Sequence, residues 1–213
     1  VNTDTIAAID TLGDFPAQFG SKVLVVGGID PVFDNVSGGA DDGADIDVAF
    51  TVASAACYNA PTLANPISRL TTELFFSPGT GTSMTDSFRL SFVDGEGDAL
   101  TNLLFAPSTT QAGQVSIFRY NNVNVIDTGA TIPVGVGARL ELLFDTTINK
   151  WSASLSGLDG LNGFVVFANV DANVAPSPSL GNDFGSFSID WLRNTGNTGW
   201  DDNYLAVDNI TLE

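Results

Sequence analysis

Histidine is absent from the 213 residues, and cysteine occurs once. The first absence removes Ser-His-Asp and Cys-His nucleophile activation together with every histidine metal site, and the second removes an internal disulfide. Cys57, flanked by Ala56 and Tyr58, reads as a small buried hydrophobe. Basic residues are scarce. Seven Lys and Arg stand against 25 Asp and Glu, for a formal charge of -18. Such a chain has little with which to neutralise phosphates, so nucleic acid is excluded as a partner. No stretch holds 18 uninterrupted apolar residues and no basic segment leads into an apolar one, so neither a membrane span nor a retained signal peptide is expected. The chain opens at Val1, which fits a processed, secreted protein working in the extracellular space or at the cell surface.

Among the acids Asp outnumbers Glu 21 to 4, and lysine occurs only as Lys22 and Lys150. Helix surfaces favour Glu and Lys, whereas Asp, Asn, Gly, Ser and Thr suit turns and loops. Period-two alternation runs from end to end. Phe88, Leu90 and Phe92 share one face against Ser87, Arg89 and Ser91; Trp151, Ala153 and Leu155 alternate with serines; Phe187, Ile189 and Trp191 oppose Ser186, Ser188 and Asp190. This pattern puts Trp151 and Trp191 in the core. About a dozen such segments are separated by turn clusters at the spacing of a sandwich, so the fold class expected is all-β, an antiparallel two-sheet β-sandwich forming one domain over 1–213. Residues 1–20 carry scattered apolar positions and read either as the opening strand or as an arm able to pair with the sheet edge of a second copy. Asn121-Asn122 is placed to close a tight hairpin. In the last strand Leu205 and Val207 are odd but Ile210 and Leu212 are even, so the alternation slips at Asp208-Asn209, as a bulge makes it do, and Asp208 is re-aimed toward a cation or a backbone amine.

Two segments carry a family resemblance. Residues 120–157, YNNVNVIDTGATIPVGVGARLELLFDTTINKWSASLSG, and residues 184–213, FGSFSIDWLRNTGNTGWDDNYLAVDNITLE, resemble the concanavalin A-like lectin and glucanase superfamily, which includes laminin-G-like domains and exported bacterial surface proteins. The first has the phrase "tG..ip.G", an Asp-Thr turn and a "W-x-x-x-l-x-G" strand in the family's order; the second has a "DNYLxxDNI" ending. The resemblance implies a jelly roll with one concave face on which glycan often binds.

The same family has laminarinase-like members with a Glu-x-Asp-x-x-Glu strand. Its nearest counterpart is Asp45-Ile46-Asp47-Val48-Ala49-Phe50, where alternation puts Asp45 and Asp47 on one face but Phe50 replaces the third acid, leaving no proton donor. Arg69-Leu70-Thr71-Thr72-Glu73-Leu74 echoes the Arg-rich strand of alginate-lyase-like members, which also need a histidine. For calcium, Asp94, Glu96 and Asp98 alternate with glycines in a turn, and Asp201, Asp202 and Asp208 form a second group of acids. For glycan or subunit contact the candidates are Trp200, Asn203 and Tyr204, an aromatic platform beside polar neighbours. Together these features favour a non-catalytic structural or adhesive subunit that associates with copies of itself. The alternative is a calcium-dependent carbohydrate-binding module whose partner is an extracellular polysaccharide, and the remaining reading is a β-glucan hydrolase.

Overall fold

The computed structural model describes residues 24–27, 45–49, 67–78, 84–94, 99–121, 124–145, 147–158, 162–172, 184–192 and 203–213. Twelve strands account for most of them: β1 (Leu24–Gly27), β2 (Asp45–Ala49), β3 (Ile67–Ser77), β4 (Ser87–Asp94), β5 (Ala99–Pro107), β6 (Gln114–Asn121), β7 (Asn124–Pro133), β8 (Gly137–Asp145), β9 (Lys150–Gly157), β10 (Phe164–Asp171), β11 (Phe184–Leu192) and β12 (Tyr204–Leu212). They form two six-stranded sheets, in the orders β1-β12-β3-β8-β9-β10 and β2-β11-β4-β5-β6-β7. Each neighbouring pair is antiparallel. The molecule is thus the all-β sandwich that the alternation predicts. The chain builds β4 to β7 as a meander in the second sheet and β8 to β10 as a meander in the first. Its remaining strands alternate between sheets, which is the jelly-roll manner of closing a sandwich.

The inward residues of both sheets meet in one core. Phe76 of β3 lies against Phe88 and Phe105 of the second sheet at centroid separations of 6.2 and 5.1 Å, and Phe92 of β4 reaches Phe144 of β8 at 5.8 Å. Trp151 stacks on Phe144, and both Trp151 and Trp191 are buried as expected. Each fully buried phenylalanine or leucine contributes about 2 kcal/mol of transfer free energy, so this aromatic seam is the main reason the sheets stay together.

Two irregularities follow from local sequence. Gly135, at φ 75°, turns the chain from β7 into β8, and its N–H donates to the Phe76 carbonyl across 2.8 Å, tying that turn to the end of β3. In β12 the register against β3 shifts between Asp208 and Thr211, with Asn209 at φ 49°. Leu205 and Val207 are in the core before the shift, and Ile210 and Leu212 pack against it after the shift. The slip in the sequence pattern is therefore a real bulge. The β6–β7 hairpin is displaced by one residue from the expected position: Asn121 pairs with Asn124, so residues 122 and 123 link the strands, and both lie outside the described residues.

Candidate functional site

The bulge in β12 has its consequence on the outer face of the first sheet. Alternation along β3 sends Leu70 and Leu74 inward, and Arg69, Thr71 and Glu73 to the other side. Glu73 is nevertheless 2% exposed. Its register partner on β8 is Arg139, whose Nη2 donates to Glu73 Oε1 over 2.6 Å. On β12 the bulge turns Asn209 so that its Nδ2 donates to Glu73 Oε2 over 2.7 Å. Both carboxylate oxygens are therefore engaged by groups from two flanking strands, which is the condition under which a buried charge is tolerated. The Thr72 hydroxyl donates to the Asp208 carbonyl, and Thr71 and Thr211 are hydrogen-bonded through their hydroxyls; both contacts join β3 to β12 around the bulge.

Arg139 is held on one side and open on the other, its side chain 53% exposed. It lines a cleft of about 380 Å³ over β8, β9 and β10, together with Glu141, Ser154, Ser156, Phe164 and Val165. Ser156 pairs with Arg139 and Ser154 with Glu141, so the two serines occupy the next strand's positions on the same face. Val165 beyond them is 66% exposed. Glu141 is oriented in turn by Arg69, whose Nε is 3.5 Å from its carboxylate and whose Nη1 is 3.7 Å from Glu213. Three of the chain's four glutamates, Glu73, Glu141 and Glu213, thus meet two of its five arginines on this one face.

This arrangement suits hydroxyl recognition better than bond cleavage. Arg139 supplies donors, Glu141 acceptors, the serines either, and Val165 and Phe164 apolar surface for the C–H face of a ring. Glycoside hydrolysis needs two carboxylates free to exchange charge or protons. Here Glu73 has both oxygens committed to hydrogen bonds, and among the described residues Glu141 is the one acid lining the cleft.

Of the residues singled out in the sequence, Arg69 and Glu73 take part in this arrangement, and the others are placed elsewhere or lie outside the described residues. Trp200, Asp201, Asp202, Glu96 and Asp98 belong to the latter group, as do Cys57 and residues 1–20. Asn203, expected at a glycan or subunit contact, is 3% exposed. Its Oδ1 accepts from the Thr85 N–H and hydroxyl and from the Asp86 N–H, and its Nδ2 donates to the Pro78 carbonyl. That amide is spent on joining β12 to the segment entering β4. Tyr204, at the start of β12, is half-buried. Asp208 accepts the Asn209 N–H at 2.8 Å, so its carboxylate caps the bulge, while the residue re-aimed across the sheet is Asn209. Asp94 ends β4 opposite Phe184. Among the described residues no three acids, cysteines or histidines are grouped to hold a metal ion. Asp45 and Asp47 take register positions opposite Asp190 and Ser188.

No protein-family model matches the chain, and no curated protein does. Among solved structures, the GH131 β-glucanase catalytic domain from Podospora anserina is similar over 70% of this chain and 58% of its own, at 12% identity and a TM-score of 0.45. An alginate lyase from Pseudomonas aeruginosa is similar over 78% of this chain and 72% of its own, at 15% identity and a TM-score of 0.44. Lectin UEA-II, complexed with galactose, is similar over 83% and 84%, at 8% identity and a TM-score of 0.49. The chain spans 13% of a sialidase and 28% of a xylan β-1,4-xylosidase that it also resembles. At this degree of likeness none of them assigns a residue or an activity to this chain.

Proposed function

We propose that this chain is a carbohydrate-binding β-sandwich without hydrolytic activity of its own, and that it reads glycan in the cleft beside Arg139. The observation that carries this reading is the Asn209–Glu73–Arg139 relay, in which three strands hold an arginine in place at the margin of a cleft otherwise lined by serines, one carboxylate and apolar groups. Fixing a donor in advance spares the ordering cost that a free surface arginine pays on binding. Secretion and calcium belong to the same proposal, with the acids at Asp94, Glu96, Asp98, Asp201 and Asp202 as the ligands that would hold the ion.

The test is titration calorimetry against a panel of oligosaccharides, with wild type and Ser156→Arg. Ser156 is exposed at the cleft, so a long side chain there fills the cleft while leaving the core untouched. Wild type is expected to bind at least one glycan, and S156R to bind it at least tenfold more weakly with an unchanged melting temperature. Equal affinity in the two proteins removes the site from this cleft. Light scattering on the same samples, with calcium and then with a chelator, reads the structural alternative: particles well above 22.2 kDa that dissociate on chelation favour a self-associating subunit over a monomeric binding module.

A further inference from the structure

The charges on the described surface narrow the class of glycan. Five of the seven basic residues are described, and each is already engaged. Arg139 meets Glu73, Arg69 meets Glu141 and Glu213, Arg89 meets Asp190, and Lys150 meets Asp171. Arg119 lies over the ring of Phe167, its guanidinium carbon 5.9 Å from the centroid. Among the described residues around the cleft, acids outnumber bases three to two, in a chain whose formal charge is -18.

Resting on the carbohydrate-binding reading above, we infer that the cleft takes an uncharged saccharide and rejects uronic or sulfated ones. Arg139 has donors to spare but a single charge, so a carboxylated sugar there competes for that charge with Glu73, which is buried and has only Asn209 besides. At Arg69 the competition is easier, because that pair is exposed and such pairs are weakly held. Displacing Glu141 from Arg69, however, leaves two carboxylates side by side in the same cleft. A neutral hydroxyl meets neither problem: it accepts from Arg139 and donates to Glu141 with both ion pairs left in place. The acidic field of the whole chain adds a longer-range repulsion that salt screens, while the local competition persists in salt.

The experiment uses the full chain in 0.15 M and 0.5 M NaCl, with a chelator present. Neutral β-glucan, galactan and xylan oligosaccharides are titrated beside alginate, polygalacturonate and sulfated galactan oligosaccharides of matched length. The best neutral sugar is expected to bind at least tenfold more tightly than any acidic one at both salt concentrations. Glu141→Gln, half-exposed and verified as folded by circular dichroism, is expected to reduce that ratio at least threefold by strengthening acidic binding. A ratio below tenfold in the wild type overturns the inference, as does acidic binding that appears when calcium replaces the chelator. A ratio unmoved by E141Q takes the discrimination away from this cleft. Failure to bind any saccharide, both with the chelator and with calcium in its place, removes the carbohydrate reading itself, whereas preference for an acidic one removes the neutrality and leaves binding standing.

Discussion

The outer faces of the two sheets begin from the same element and end differently. Each has a cross-strand arginine–acid pair: Arg139 opposite Glu73 in the first sheet, and Arg89 opposite Asp190 in the second. In each the acid is buried and the arginine substantially open. In the second sheet, the contacts to Asp190 come from Arg89 and from Ser91, two residues on from it along β4, so the arrangement is a regular ladder between two strands. In the first sheet the bulge in β12 adds a third strand through Asn209, and the arginine stands at a cleft. A regular ladder stabilises a sheet; an irregularity in it can convert the same pair into a prepared site.

The largest expected effect tests what joins the two faces. Asn203 binds the β12 side of the first sheet to Thr85 and Asp86 at the entry to the second, and to the Pro78 carbonyl just after β3. Asn203→Ala removes four hydrogen bonds from a buried or part-buried joint, and is expected to lower the unfolding free energy by about 3 kcal/mol in urea titration. A loss below about 1 kcal/mol would show that the side chain is not the joint and return it to the list of contact candidates.

Breaking the two ion pairs in parallel comes next. Arg139→Met leaves the Glu73 carboxylate to Asn209 alone, and Arg89→Met leaves Asp190 to Ser91. Each is expected to cost about 2 kcal/mol, less than a fully enclosed pair because both guanidinium groups are partly open to water. Their effects on glycan affinity should part company: at least a tenfold loss for R139M, and less than twofold for R89M. Equal losses would mean that the bulge confers nothing particular on the first face.

How much of this was legible in the sequence divides along the range of the contacts. All twelve strands were readable, because alternation is a local property, and the inward residues whose burial is described form one core between the sheets. The bulge was readable too, since the step from Val207 to Ile210 breaks the period within one strand. The partner of the bulge was not. Glu73 meets Arg139 66 residues away and Asn209 136 residues away, and no local pattern encodes that strand order. Composition makes aromatic and acidic clusters in turns conspicuous instead, and by that signal Asn203 is a contact residue, whereas its amide bonds the backbone entering β4. A usable signal existed in scarcity: with four glutamates and five arginines in the chain, a glutamate and an arginine both outward on confident strands of alternating pattern, Glu73 and Arg139, were worth pairing.

The smallest expected effect isolates the bulge itself. Asn209 contributes a donor to Glu73 and also occupies a left-handed backbone conformation, φ 49°, that asparagine tolerates better than most residues. Asn209→Gly removes the donor but suits the backbone, and is expected to cost about 1 kcal/mol. Asn209→Ala removes the donor and strains the backbone, for about 1 kcal/mol more. Glycan affinity should fall by a similar factor in both, since both leave Glu73 with one partner fewer and Arg139 less firmly oriented. If affinity follows the Gly–Ala stability difference instead, the bulge acts through its backbone shape, and the relay through Glu73 is not what prepares Arg139.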